Sequence, residues 1–130
     1  MDPVADMLTI IRNGLMVGKK KVKISPFSKF KFAILKILER EKFLEKVEKK
    51  GRYPKNYILV HLKYTPDGKP VISGLKKISK PGQKIYIQAK KIKPVKQGYG
   101  IMIISTPKGL FTHKEAKKYN LGGEVICEVW

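Results

Sequence analysis

Gly100-Ile-Met-Ile-Ile-Ser-Thr-Pro-Lys-Gly-Leu-Phe-Thr-His-Lys-Glu-Ala-Lys-Lys-Tyr119 is the stretch that decides the fold. Ile101 to Ile104 form an unbroken apolar run, too short for a helix and bounded by turn residues, which reads as a strand. Pro107-Lys108-Gly109 breaks it and Leu110-Phe111 resumes it. Thr112-His113-Lys114-Glu115 has the spacing of a capping box, so a short helix opens there and runs to about Tyr119. Strand, turn, strand and helix therefore follow one another within some twenty residues.

Outward from this stretch the pattern stays mostly β. Gly98-Tyr99-Gly100 leads into it. Gly122-Gly123 ends the helical region, and residues 124–130 read as a final strand. Upstream, residues 84–89 alternate, with Ile85, Ile87 and Ala89 on one face and Lys84, Tyr86 and Gln88 on the other. Ser79-Lys80-Pro81-Gly82 is a turn by composition, and Val71-Ile72-Ser73 is a short apolar segment.

The first half reads differently. Asp2-Pro3 looks like a helix start, with Asp as N-cap and Pro at the first helical position. Val4, Leu8, Ile11 and Leu15 recur at helical spacing, and Gly18 is the expected stop. A short strand over 22–25 closes at Pro26. A second helix begins near Ser28 and carries Phe30, Ala33, Ile34, Ile37 and Leu38. Strands follow over 44–50 and 57–64, joined by Gly51-Arg52-Tyr53-Pro54-Lys55-Asn56. The expected fold class is α+β. An N-terminal α-β-α-β-β domain over residues 1–66 packs on a C-terminal, mostly β domain with one short helix over residues 67–130.

Charge narrows the function. The chain carries 29 Lys and Arg against 10 Asp and Glu, formally +19, yet 42% of its residues are hydrophobic. That apolar content suffices for a packed core, so the charge is not the mark of a disordered segment. Residues 68–114 hold eleven lysines and no carboxylate. Lysines placed for solubility are normally mixed with carboxylates; a run of one sign points to a polyanion, nucleic acid first.

Catalytic signals are poor. His61 and His113 stand far apart, and no Cys/His pair has zinc-ligand spacing. Cys127 alternates with Val125 and Val129 and reads as a small buried hydrophobe. Gly98-x-Gly100 lacks the third glycine of a dinucleotide fingerprint, and no phosphate-loop motif occurs. The reading is not an enzyme, with no cofactor, no metal and no membrane partner. A lone cysteine excludes an internal disulfide, and the expected location is cytoplasmic.

Two features suit binding. Tyr86 lies between Lys84 and Gln88, which fits stacking or hydrogen bonding to nucleic acid, or a tyrosine covering a neighbouring loop. Ser105-Thr106-Pro107-Lys108-Gly109 presents two hydroxyls, a rigid proline and a lysine at a turn. Such hydroxyls reach 2′-OH groups and base edges in the shallow RNA minor groove, and Gly109 lets backbone approach backbone. The same residue types also make an ordinary β-turn.

At this segment the chain resembles a known family. The stretch from Gly100 to Lys117 closely resembles the signature of the bacterial small-subunit ribosomal protein S8 family. The start, Asp2-Pro-Val-Ala-Asp-Met-Leu-Thr-Ile-Ile-Arg-Asn13, is similar too, as are Gly74-Leu-Lys-Lys-Ile-Ser-Lys-Pro-Gly82 and the ending Gly122-Gly-Glu-Val-Ile-Cys-Glu-Val-Trp130. The resemblance implies a protein that binds a central-domain stem of small-subunit ribosomal RNA early in assembly, beside neighbouring ribosomal proteins, and that is monomeric outside the ribosome. It also implies that some members repress their own operon through a messenger RNA that mimics the ribosomal site. By matched position the RNA loop is Ser105, Thr106, Pro107, Lys108 and Gly109, supported by Tyr86, Gly122, Gly123 and Glu124. Lys31, Lys55, Lys84 and Lys90 are expected to meet phosphates. The family usually has Ser at the position of Pro107. Losing that hydroxyl costs about 1 kcal/mol, stiffening the turn offsets part of it, and Ser105 and Thr106 are expected to carry more of the contact. The competing reading is a nonspecific nucleic-acid-binding architectural protein, although no recognition helix or intercalating arm is evident.

Overall fold

Helix α1, Pro3–Met16, opens a computed structural model that describes residues 2–130. Val4, Met7, Leu8, Ile11 and Leu15 are buried along one stripe of it, as their spacing requires. Strand β1, Lys21–Ile24, follows, then helix α2, Lys29–Arg40. Ser28 caps α2: its hydroxyl accepts the Lys31 N–H at 3.1 Å. Strands β2, Leu44–Lys50, and β3, Tyr57–Leu62, complete an antiparallel sheet in the order β1-β3-β2. Along β3, Ile58, Val60 and Leu62 are buried while Tyr57, Leu59 and His61 are half-buried on the other face. Helix α1 packs on β1 and β3 and α2 on β2, covering the apolar face. Ile34, Leu35 and Leu38 are fully enclosed, each stabilising by roughly 1.5–3 kcal/mol. Glu39 accepts the Val47 N–H at 2.7 Å, which fixes α2 against β2.

The chain divides into two units, residues 3–72 and residues 73–130 together with Asp2. The division falls between Ile72 and Ser73, six residues beyond the expected one at 66. The turn over 65–70 folds back on the first unit: Tyr64 bridges Pro70, and the Thr65 and Val71 N–H groups donate to the carbonyls of Lys69 and Lys63.

The second unit is built around strand β8, Gly123–Val129. Along one edge lie β4, Leu75–Lys77, and β5, Tyr86–Ile87; along the other lies β6, Ile101–Thr106, followed by β7, Gly109–Thr112. Helix α3, His113–Lys118, has the expected capping box: Thr112 Oγ1 accepts the Glu115 N–H and Glu115 accepts the Thr112 N–H. Ile92, Ile104 and Ala116 form one buried cluster of this unit's core, joined by Ile87, Met102 and Phe111.

One strand expectation is corrected. Residues 84–89 do not form one strand; only Tyr86–Ile87 pairs, and Ala89–Lys91 turns into a short 3-10 helix. Pairing stops at Ile87↔Gly123 because β8 begins there and offers no further partner. The short apolar segment Val71-Ile72-Ser73 forms no strand. The Ser73 and Gly74 N–H groups both donate to the Trp130 carbonyl, and this turn delivers Leu75–Lys77 into register with β8.

Candidate nucleic-acid interface

The ladder registers bring together what the sequence keeps apart. Tyr86 pairs with Glu124, Glu124 pairs with Ser105, and Ser105 pairs with Leu110. Directly opposed residues share one face of a sheet, about 4.8 Å from strand to strand. A phenol, a carboxylate and a hydroxyl from three distant segments therefore stand in one row. Tyr86 is 68% exposed, while Glu124 and Ser105 are half-buried. The residue before Tyr86 is anchored by Ser79, which is buried at the neck of the 79–85 loop. The Ser79 hydroxyl accepts the Ile85 N–H at 2.9 Å, and the Ile85 carbonyl accepts the Val125 N–H at 2.8 Å.

One residue pair beyond the row, β6 and β7 close at Thr106↔Gly109 over the exposed Pro107 and Lys108. Thr106 differs from the expectation of an outward contact. It is 8% exposed, its hydroxyl donates to the Gly109 carbonyl at 2.8 Å, and it accepts the Lys108 N–H at 3.1 Å. Its hydrogen-bonding capacity is largely spent on shaping the turn, so it presents Lys108 rather than reaching out itself. Gly109 is needed for conformation: its φ is 126°, in a region that favours glycine, and nothing crowds its α-carbon.

Close backbone approach occurs instead at Gly122 and Gly123. A β-carbon on Gly122 would lie 2.6 Å from the Ile87 carbonyl oxygen; one on Gly123 would overlap the Ser105 carbonyl and lie 2.8 Å from its carbon. These glycines let β8 sit between β5 and β6, and so set the spacing of the row. Beside it runs a groove of about 430 Å³ lined by Ile87, Gln88, Ala89, Lys90, Asn120 and Gly122.

Lys84, Lys90 and Lys108 are exposed in this unit, and Lys55 is exposed in the other. Lys31 belongs to the other unit and departs from the expectation of an open phosphate contact. It is 6% exposed, and burial pushes its ammonium below the usual lysine range, against the opposing pull of Asp6. The sequence reading also passed over Gln88 and Asn120. Asn120, with φ 56°, ends α3 in the left-handed conformation asparagine tolerates, the one signal that could have drawn attention to it.

Among the described residues no cluster of His, Cys, Asp and Glu could hold a metal ion, and no helix is long and apolar enough to cross a membrane. Cys127 is buried, and burial raises its thiol to about 12, far from nucleophilic.

The family model described as ribosomal protein S8 matches residues 2–130. The chain is 48% identical to the small ribosomal subunit protein uS8 of Thermus aquaticus, over 99% of this chain and 98% of that relative. It is 48% identical to the uS8 protein of Roseiflexus castenholzii over 99% and 97%, and 46% identical to that of Syntrophomonas wolfei over 99% and 97%.

Proposed function

The chain belongs to the ribosomal protein S8 family, and on that premise we propose that its C-terminal unit reads a central-domain stem of small-subunit ribosomal RNA and nucleates assembly around it. The chain is a structural protein of the small ribosomal subunit and not an enzyme; its partners are ribosomal RNA and ribosomal proteins. The observation that carries the finer reading is the row Tyr86–Glu124–Ser105, set beside the turn that presents Lys108.

The chemistry follows from the groups in the row. A-form RNA shows a wide, shallow minor groove edged with 2′-hydroxyls. The Ser105 hydroxyl both donates and accepts, and so suits a 2′-OH. Glu124 accepts only, which suits an exposed base amino group and disfavours a phosphate. Tyr86 offers a ring to an unstacked base and a hydroxyl at its edge. Lys55, Lys84, Lys90 and Lys108 supply phosphate contacts, which give affinity and orientation without sequence information. Gly122, Gly123, Thr106, Pro107 and Gly109 hold these groups in place. Repression of the protein's own operon would use the same surface, with a messenger hairpin of similar shape competing for it.

The test is a salt titration of binding to a central-domain stem beside an unrelated duplex RNA of equal length. The expected result is a preference for the stem that survives raised salt, while the duplex is lost along its steeper dependence. Parallel decay of both would leave a nonspecific, charge-driven binder and would end the assignment of the row.

A further inference from the structure

The outer face of the β1-β3-β2 sheet carries a pattern that the C-terminal site does not use. With α1 and α2 on one face, the other bears Tyr57, Leu59 and His61 down the middle strand. Register places Lys21 and Lys46 on either side of His61, Lys23 and Glu48 on either side of Leu59, and Lys50 beside Tyr57. Lys21, Lys23, Lys46 and Lys50 are exposed. The Lys23 ammonium lies 4.3 Å from the centre of the Tyr57 ring. Glu48 is the one acid in these rows, and it is occupied: His61 Nε2 lies 2.7 Å from it, Lys50 at 3.3 Å and Lys46 at 3.6 Å. Lys21 and Lys23 enter none of the ion pairs among the described residues.

We propose that this sheet face is a second RNA contact, one that takes an unpaired strand. The proposal rests on the reading of the chain as an RNA-binding ribosomal protein and extends it to a different surface and a different form of RNA. Ring-bearing side chains along a central strand with lysines about 4.8 Å to either side match a single strand, whose bases are free to stack and whose phosphates fall outward. A duplex offers phosphates to the lysines but keeps its bases from Tyr57 and His61. An acidic peptide satisfies the lysines and leaves the central stripe uncovered.

The probe is an oligouridine of about ten nucleotides, titrated against the full chain with salt. Three variants accompany it. Tyr57→Leu keeps apolar cover and removes the ring; it should weaken oligouridine binding at least about fivefold, the lower end of one lost base stack. The double variant Lys21→Gln/Lys23→Gln should lower the salt slope by about 1.4, two phosphates on a single strand. Lys29→Gln, an exposed position on α2 that no proposed contact uses, should leave oligouridine binding unchanged. Circular dichroism checks that each variant is folded. The proposal is overturned if wild-type protein does not bind oligouridine, if the Tyr57 and Lys21/Lys23 variants bind it as wild type does, or if oligoglutamate of equal length binds more tightly. Failure of the stem-reading assignment is separate: it shows as a wild-type protein without preference for the stem over the control duplex, whatever the oligouridine result.

Discussion

Gly123→Ala puts a methyl group where the Ser105 backbone already is. The new carbon would stand 2.8 Å from the Ser105 carbonyl carbon and 3.1 Å from the Thr106 α-carbon. Carbon atoms settle near 3.5 Å or more, so the strands must part by at least about 0.7 Å at this point, and further to clear the overlapped Ser105 carbonyl oxygen. The obstacle is main chain, which cannot rotate out of the way. A ladder hydrogen bond of about 2.9 Å stretched by that amount reaches about 3.6 Å and is no longer a bond. Overpacking costs about 1–3 kcal/mol and a lost bond about 1 kcal/mol, so the predicted destabilisation is about 2–4 kcal/mol. A typical domain stability of about 5–15 kcal/mol leaves the variant folded. The same displacement separates Ser105 from Glu124 by a sizeable fraction of their spacing, so stem affinity should fall beyond what lost stability explains. Denaturant unfolding gives the first quantity and stem binding of the folded variant the second. Gly82→Ala is the control, since nothing lies within 4 Å of its β-carbon position, and it should stay within about 0.5 kcal/mol. If Gly123→Ala matches Gly82→Ala in both measurements, the close approach does not set the row and the argument fails.

Three further predictions follow the same logic. Thr106→Val removes the hydroxyl that ties Gly109 to Lys108 and should cost about 1–3 kcal/mol with weaker stem binding, while Thr106→Ser restores both; a valine variant that binds the stem like wild type would mean the turn holds without these bonds. Lys31→Met should leave the salt slope for RNA unchanged and stability equal or higher, since it removes a charge held below its usual pKa by burial; a slope reduced by about 0.7–0.9 would show that Lys31 touches a phosphate after all. The hydrogen bond from His61, with help from Lys50 and Lys46, lowers the Glu48 carboxyl from 4.5 to about 2. A depressed acid contributes stability that is complete above 4.5 and lost as pH falls towards 2, so Glu48→Gln should flatten the stability curve across that window, as read by denaturant midpoints; an unchanged acid limb would remove this pair from the account.

The N-terminal unit was legible because its signals are local. The helix start near Ser28, the apolar stripe of α1 and the alternation along β3 each specify their element within a dozen residues; all five elements are present in the expected order, with β1 one residue earlier and β3 two residues shorter than the pattern put them. The C-terminal hairpin and the capping box at Thr112 were legible for the same reason. What was not legible depends on partners. The end of β5 at Ile87 is decided by where β8 begins, and the start of β4 by the Trp130 carbonyl, neither of which a local window contains. Within the site, residue types pointed to Ser105 and Tyr86 and the family resemblance added Glu124, but their common row is a matter of register. The same limit explains Thr106 and Lys31. A hydroxyl and an ammonium look outward in a sequence, and only the fold shows that one closes a turn and the other is covered.

The place of β8 in chain order gives this site a timetable. Tyr86 and Ser105 are made well before Glu124, yet they have no common surface until Gly123–Val129 slides between β5 and β6. A growing chain that has not yet released this strand carries all 29 of its lysines and arginines and none of the row. On the proposed reading it could cling to any RNA through its lysines but recognise no particular one. On that reading, discrimination would then be switched on by Gly123–Val129, so selectivity would begin only once that strand has emerged and taken its place.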